Sequence, residues 1–197
     1  MSQPLHLSPA QEILDFWFGQ PDAAGYGKSR KIWFIKNPEF DEEVRSRFFP
    51  TYQQAAAGEL DSWKASPQAC LALIILLDQF PRNLFRGQPQ AFATDSQALA
   101  YAKHAVANDF DKELLPIQRQ FIYLPFEHSE NLTHQHQCLE LFSTLKDEPE
   151  CVSSVDYAHR HFKVIERFGR FPHRNEILGR ESTPEEAEFL KQPGSSF

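Results

Sequence analysis

Hydrophobic residues recur every three or four positions along most of this chain, the period of an α-helix that buries one face. The clearest run follows an Asn-Pro helix start at 37–38 and consists of Phe40, Val44, Phe48 and Tyr52. Pro50 lies inside this run and is expected to kink the helix or divide it into two. Because no convincing alternation typical of strands occurs, we predict an all-α fold built from antiparallel helical hairpins.

The most apolar helix is predicted at residues 70–80, and because it is nonpolar almost all round we expect it to be central. Pro81 is expected to end it. The block 32–35 is interpreted as a helical turn rather than a strand, since no partner strand is evident. Further helices, with Pro125 as a break, are predicted at 8–18, 95–108, 116–124, 127–146, 150–168 and after Thr183.

The composition of the chain fits a single hydrophobic core. Its 197 residues, 41% of them hydrophobic, predict one domain over residues 1–192 with a flexible tail at 193–197. Eighteen phenylalanines against one methionine indicate that large rings fill much of that core.

Charge and cysteine usage narrow the classes of function. The net charge of −7 argues against broad nucleic-acid binding, and the three cysteines, far apart and outside any CxxC pair, argue against disulfides or a thiolate zinc site. The chain lacks a secretory signal pattern and any apolar run near the roughly 20 residues that span a bilayer. We therefore expect a cytoplasmic protein with no membrane partner.

Two short segments resemble each other: FPRN at 80–83 and FPHRN at 171–175. Each is predicted to end a helix and to present arginine and asparagine at the break. Arginine and asparagine together offer many hydrogen-bond donors, which suits a carboxylate or a phosphate. We call these segments the first and second corners.

The polar residues at and near these corners are the candidate site. His128, His173 and Glu127 are the candidate catalytic residues, because histidine titrates near physiological pH and each lies beside other charged groups. No metal site or cofactor is predicted, since no spacing of ligands specifies a geometry. The candidate ligand-binding residues are Arg82, Asn83, Glu130, Arg167, Arg170, Arg174 and Asn175.

Other interpretations of the same residues stay open. Acidic residues such as Asp78, Glu127 and Glu130 can neutralise the arginines in a buried network that only fastens helices together. Glu127, Glu130 and His134 share a face on an unbroken helix, but the Glu-x-x-His order of di-iron bundles is absent. The basic segment 157–180 lacks regular aromatic stacking partners, so a small anion is preferred to a polymer.

Several motifs in this order resemble the bacterial family known as Domain of Unknown Function 924: LDFWFG, LLDQFPRN, AFATD, PFEHSE, RFGRFPHRN and LGRESTPEE. The resemblance implies an all-helical, tetratricopeptide-like domain with a right-handed stack of helical hairpins, and it implies no activity. The family's motif residues, by their positions here, are Asp78, Gln79, Arg82, Asn83, Asp95, Glu127, His128, Glu130, Arg167, Arg170, His173, Arg174, Asn175 and Arg180.

Two hypotheses of function follow from these observations. In the first, the two corners and the segment around His128 converge on one pocket for a small anionic ligand, where acid/base catalysis is a further expectation. In the second, the protein is an interaction module that binds a protein partner along a helical groove, and the polar motifs form a structural network.

Overall fold

The computed structural model describes residues 8–196, which fold into helices with no strand in that range. The all-α prediction is confirmed. The helices are α1 (Pro9–Phe18), α2 (Pro38–Ala56), α3 (Pro67–Ile74), α4 (Phe80–Leu84), α5 (Asp95–Ala107), α6 (Pro116–Glu127), α7 (Leu132–Ser143), α8 (Val152–Phe168) and α9 (Pro184–Phe189).

Local signals place most helix starts where the sequence predicts them. The side chains of Ser8, Asn37 and Ser66 accept hydrogen bonds from the backbone three residues on, each ahead of a proline in the first turn. Thr183 forms a capping box with Glu186 at the start of the helix predicted after Thr183. The predicted helical turn at 32–35 is a single 3-10 turn, Lys31–Trp33.

Packing follows the chain order closely. The α7 helix lies against both α6 and α8, α5 lies against α3 and α6, and α1 and α2 pack on the α3–α4 segment. Residues 70–77 are fully buried, so the prediction of a central apolar helix is confirmed. Rings fill the core around Trp17, which lies 5.6–6.1 Å from the rings of Trp33, Phe80 and Phe121. The right-handed, tetratricopeptide-like stacking stays a prediction.

Neither Pro50 nor Pro125 divides its helix, so that part of the prediction is wrong, while a kink at Pro50 stays a prediction. The α2 helix continues through Pro50, which is exposed together with Ser46, the residue whose carbonyl loses its donor. Water can satisfy a carbonyl at such a position. The α6 helix continues past Pro125 to Glu127, because a proline removes one hydrogen bond while the buried face of α6 keeps its packing.

The tail prediction concerns residues 193–197, of which 193–196 are described. Ser195 is buried, and its hydroxyl donates a hydrogen bond of 3.0 Å to the Leu190 carbonyl oxygen. The flexibility of this segment stays a prediction. In the part of the chain that the structure describes, no helix is both long enough and apolar enough to cross a membrane.

Candidate functional site

A pocket of about 630 Å³ brings the two corners together. We call it the central pocket. Six of the ten candidate site residues line it: Arg82, Asn83, Glu127, His128, His173 and Arg174. Its other walls include Trp33, Phe34, Gln79, Arg86, Phe92, Leu124, Ser153, Ser154, Tyr157, His161, Ile177 and Ser196.

The first corner differs from the prediction, because the helix does not end at Pro81. After α3 the backbone widens into a π-helical segment, Ile75–Gln79, and continues as α4. Pro81 therefore falls in the first turn of α4, where its missing N–H costs little. The Leu77 carbonyl, whose α-helical donor would be Pro81, accepts a hydrogen bond from the Thr94 hydroxyl at 2.6 Å. Because of the π segment, the helix continues past Pro81, and Arg82 and Asn83 lie within α4, beside the pocket.

The second corner follows a true helix end, as predicted. Gly169 takes a left-handed conformation with φ 69° and closes α8. A 3-10 turn, Pro172–Arg174, then carries His173 and Arg174 to the pocket. Glu130 holds this turn in place, since it accepts a hydrogen bond from the Phe171 backbone N–H at 2.7 Å and two from Arg180 at 2.6 and 2.9 Å.

The two corners meet on the segment that leads into α5. Asp95 accepts two hydrogen bonds from Arg82 and lies 3.6 Å from Nη1 of Arg174. The guanidinium of Arg174 lies between two rings, 4.7 Å from the centroid of Phe92 and 4.5 Å from that of Phe171. Phe92 and Asp95 therefore form the contact between two segments that are about ninety positions apart in the chain.

Asp78 and His128 form a hydrogen-bonded pair at the pocket wall. Nδ1 of His128 lies 2.8 Å from Oδ1 of Asp78, which is fully buried. Burial alone would raise the pKa of Asp78, but Arg82 and His128 hold it well below its usual range. The ionised carboxylate accepts only, so Nδ1 of His128 carries the hydrogen and Nε2 keeps its lone pair. Burial first, and then Arg82, lower the pKa of His128.

Glu127 and His161 form a second buried pair. Oε1 of Glu127 lies 3.2 Å from Nδ1 of His161, which also lies 2.9 Å from the Tyr157 carbonyl oxygen. Burial, and then the charge of Asp78, raise the pKa of Glu127 well above its ordinary value. Burial lowers the pKa of His161 well below its ordinary value. Glu127 is 3% exposed, and its Oε2 has no hydrogen-bond partner within residues 8–196.

The remaining candidate residues differ in their surroundings. Burial, and then Arg174, lower the pKa of His173 to about 4. Asn83 lines the pocket while its amide donates to Asp41 at 2.8 Å. Four candidates lie outside the lining and form ion pairs or hydrogen bonds that join α8, α9 and the second corner: Glu130, Arg167, Arg170 and Asn175.

The sequence interpretation did not single out His161 or Phe92. His161 lies on the buried face of α8 with Ala158, Val164 and Ile165, so the helical period of that segment marks it as inward-facing. Phe92 had no such signal, because its role depends on where Arg174 lies in space.

The residues considered for a metal site separate in the structure. Glu127 ends α6, and the turn before α7 directs Glu130 to Arg180 and His134 to Lys103 and Ser129. Among the side chains of residues 8–196, no group of three or more histidine, cysteine, aspartate or glutamate residues is arranged to hold a metal ion.

Comparison with known proteins places this arrangement in a family. The model of DUF924, described as a bacterial protein of unknown function, matches residues 13–194. The chain belongs to this family. Among solved structures, the protein of unknown function ATU0120 from Agrobacterium tumefaciens is 40% identical, with a TM-score of 0.81 over 92% of this chain and 96% of that one. No curated protein matches the chain. The family resemblance is thus confirmed, and the matched region includes both corners.

Proposed function

We propose that the central pocket binds a small anionic molecule, a carboxylate or a phosphate, and that Arg174 is the residue that holds it. The observation that carries the proposal is the incomplete pairing of this guanidinium. Arg174 is 6% exposed, its Nη1 donates to the His128 carbonyl oxygen at 3.1 Å, and its Nε has no hydrogen-bond partner within residues 8–196. A buried cation of this kind gains most from a ligand that supplies the missing charge and acceptors.

The charges of the other two arginines that line the pocket are better balanced by acidic side chains. Arg82 is paired with Asp95 and Asp78, and Arg86 donates to both carboxylate oxygens of Asp41 at 2.6 and 2.9 Å. Among residues 8–196, Asp95 at 3.6 Å is the one acidic side chain within 4 Å of the Arg174 guanidinium. An incoming anion therefore has the most to gain at Arg174.

The charges around Arg174 also favour the binding of an anion at this residue. Burial, and then the charge of Arg82, lower the pKa of Arg174 to about 10. An anion in the pocket would offset the effect of the Arg82 charge on this pKa. The candidate catalytic residues His128, Glu127 and His173 line the same pocket. Their role in catalysis stays a prediction.

The apolar walls indicate the rest of the ligand. Trp33, Phe92, Leu124 and Ile177 line the pocket beside the polar groups. A ligand that joins an anionic group to an apolar or planar portion would use both kinds of wall. The proposal is for a small molecule rather than nucleic acid, because most basic side chains of 157–180 are already paired: Arg160 with Asp156, Arg167 with Glu185, Arg170 with Glu186 and Arg180 with Glu130.

A thermal-shift screen tests this proposal. Small carboxylates and phosphate monoesters, with and without aromatic groups, are added to the unaltered protein, to Arg174→Gln and to Arg167→Gln. Arg167 is the matched control, because it is an exposed arginine paired with Glu185 outside the pocket. We expect stabilisation of the unaltered protein and the control by at least one compound, and none of Arg174→Gln.

Two results would argue against the proposal. Equal stabilisation of Arg174→Gln would place the anion elsewhere, and the absence of any stabilising compound would remove the support for an anion pocket. Arg174→Lys keeps the charge without the forked donors, so it serves as the folded comparison if Arg174→Gln is too unstable to assay.

A second candidate function, a protein-interaction module, is favoured by the exposed rings at the pocket. Phe34 is 57% exposed and Tyr157 is 46% exposed, and both line the pocket. Exposed aromatic rings are common in protein-binding surfaces. A partner that is lost by Phe34→Ser and retained by Arg174→Gln would favour this function over anion binding.

We also infer a cytoplasmic location. Cys70, Cys138 and Cys151 are all free and buried. Free thiols are usual where the surroundings are reducing. Labelling of the protein in fractionated cells tests this inference, and recovery from an oxidising compartment would contradict it.

A further inference from the structure

We propose that the central pocket is an acid–base site in which Asp78 positions His128 as the proton acceptor and the carboxyl group of Glu127 is the proton donor. The reaction is the transfer of a proton between two atoms of an anionic substrate that carries a carbonyl group, an isomerisation. The substrate part of this inference rests on the proposed function of Arg174, whereas the arrangement of donor and acceptor stands on its own geometry.

The proton acceptor is Nε2 of His128. The Nδ1–H group of this ring donates to the buried carboxylate of Asp78 at 2.8 Å, which leaves the lone pair on Nε2. A carboxylate that holds one ring nitrogen in this way fixes the tautomer and the orientation of the imidazole. His128 lines the pocket, so a substrate there can reach its ring.

Asp78 is itself held by its neighbours. Its Oδ2 accepts a hydrogen bond from the Gln79 amide at 2.6 Å, and Nη1 of Arg82 lies 3.5 Å from Oδ1. Arg82 also donates to the Asp78 backbone carbonyl, so the carboxylate and the backbone of this residue are both fixed. Asp78 is therefore a positioning residue and contacts no substrate.

The proton donor is Glu127. Burial, and then the charge of Asp78, raise the pKa of its carboxyl group well above the ordinary value, which favours the protonated form. Nδ1 of His161 lies 2.9 Å from the Tyr157 carbonyl oxygen, so it carries the ring hydrogen and cannot accept one from Oε1 of Glu127 at 3.2 Å; we therefore assign the acid proton to Oε2. This oxygen is buried and has no partner among the described residues, although Glu127 lines the pocket. A buried hydroxyl without an acceptor is destabilising, and a substrate oxygen beside it would supply the missing acceptor.

The surroundings thus shift the pKa values of the two carboxyl groups in opposite directions. Arg82 and His128 lower the pKa of Asp78 despite its burial, which favours the ionised form, whereas burial and Asp78 raise the pKa of Glu127, whose Oε1 lies 3.2 Å from Nδ1 of His161. Such a separation of pKa values between neighbouring carboxyl groups is the usual basis of acid and base roles.

The proposed reaction balances without a cofactor or co-reactant. The C–H bond beside the carbonyl breaks, its proton goes to Nε2 of His128, and the electron pair forms a C=C bond. The carbonyl oxygen takes the proton of Glu127, which gives an enol. In a substrate whose deprotonated carbon carries a hydroxyl group, the enol is an enediol. This hydroxyl gives its proton to Glu127 and becomes the new carbonyl, and the former carbonyl carbon takes the proton from His128, so both residues regain their first state.

The arrangement of donor and acceptor can be tested without any ligand. Nitrogen-15 NMR of labelled histidine, assigned with His128→Asn, is expected to find His128 neutral with its hydrogen on Nδ1 at neutral pH. In Asp78→Asn we expect a measurable fraction of the Nε2–H tautomer, a change that a merely structural role for Asp78 does not require. A His128 ring that is protonated, or that carries its hydrogen on Nε2 in the unaltered protein, would overturn the inference.

Infrared spectroscopy tests whether the carboxyl group of Glu127 is protonated. The unaltered protein at neutral pH is expected to have the carbonyl stretch of a protonated carboxyl group, which Glu127→Gln removes. Glu166→Gln, an exposed glutamate of α8, is the matched control and leaves that band unchanged. A spectrum that Glu127→Gln does not alter means that Glu127 is ionised and is not the donor.

The chemistry is tested in deuterium oxide with named probes. The 2-oxo carboxylates, 2-hydroxy aldehyde phosphates and ketose phosphates are incubated with the protein and followed by proton NMR. We expect at least one to take up deuterium beside its carbonyl group, at a rate that falls about 100-fold in His128→Asn and in Glu127→Gln. His159→Asn, an exposed histidine of α8, is the control and keeps the full rate.

The outcomes separate this inference from the proposed function. A compound that binds in an Arg174-dependent way but takes up no deuterium means that the pocket binds without acid–base chemistry. A product that contains oxygen from labelled solvent water means hydrolysis, which overturns the isomerisation. If no probe binds, the anion pocket fails, while the NMR and infrared results still decide the roles of His128 and Glu127.

Discussion

Arg82 and Asp95 are joined by two hydrogen bonds, from Nη1 to Oδ1 at 2.9 Å and from Nη2 to Oδ2 at 3.1 Å. Asp95 begins α5 and Arg82 lies in α4, so this pair ties the first corner to the next helix. Arg82 also lies 3.5 Å from the fully buried Asp78. Arg82 therefore joins α4 to α5 and also lines the pocket.

We expect Arg82→Ala to lower the free energy of unfolding by about 3 kcal/mol, because it leaves the buried charge of Asp78 without its main counter-charge. Urea denaturation followed by circular dichroism measures the change. Arg167→Ala is the control and is expected to cost less than about 1 kcal/mol, since its pair with Glu185 is exposed. Equal midpoints for the two variants would contradict the structural role of Arg82.

The hydroxyl of Thr94 satisfies the Leu77 carbonyl beside Pro81. We expect Thr94→Val, which keeps the shape and removes the hydroxyl, to lower the free energy of unfolding by about 1–3 kcal/mol. Thr133→Val, at an exposed position of α7, is the matched control. A Thr94→Val protein as stable as the control would mean that this carbonyl needs no side-chain donor.

The raised pKa of Glu127 makes a prediction about alkaline pH. The folded protein holds the proton of Glu127 at a pH where the unfolded chain has lost it, so the folded state is favoured less as the pH rises above about 4.5. Glu127→Gln removes this loss. We expect its free energy of unfolding, relative to the unaltered protein, to increase from pH 5 to pH 8. A difference that is the same at both values would mean that Glu127 ionises normally.

The lowered pKa of His173 predicts a loss of stability at acid pH. Burial, and then the charge of Arg174, lower its pKa from an ordinary value near 6.5 to about 4 in the folded protein; His128 and Arg180 act in the same direction and Glu130 acts against them. The unfolded chain then binds a proton that the folded protein does not, so stability is lost as the pH falls from about 6.5 to about 4. We expect His173→Gln to lose less stability than the unaltered protein over that interval. Parallel pH profiles would contradict the shift.

Helix starts and the core were predictable from the sequence because their signals are local. Ser8, Asn37 and Thr183 act on the backbone three residues away, and the apolar run at 70–77 is buried whatever packs around it. The effect of prolines was not predictable in the same way. Pro50 and Pro125 lie in helices whose tertiary packing outweighs one lost hydrogen bond, and Pro81 follows a π segment that no sequence signal marks.

The candidate site was predictable in its residue types and only partly in its geometry. The repeated corners identified Arg82 and Arg174, yet the sequence did not distinguish the paired guanidinium of Arg82 from the incompletely paired one of Arg174. That distinction depends on Asp95 and Phe92, whose positions between the corners are set by the fold. Arg167 and Arg170 carry the same chemistry but lie on the outer side, paired with α9.

The position of a bound anion tests the central claim most directly. A crystal structure is determined with the compound that gives the largest Arg174-dependent thermal shift. We expect its anionic group within about 3 Å of the Arg174 guanidinium, in the pocket between Phe92 and His128. A compound bound at another surface, with Arg174 still bonded only to the His128 carbonyl, would contradict the account.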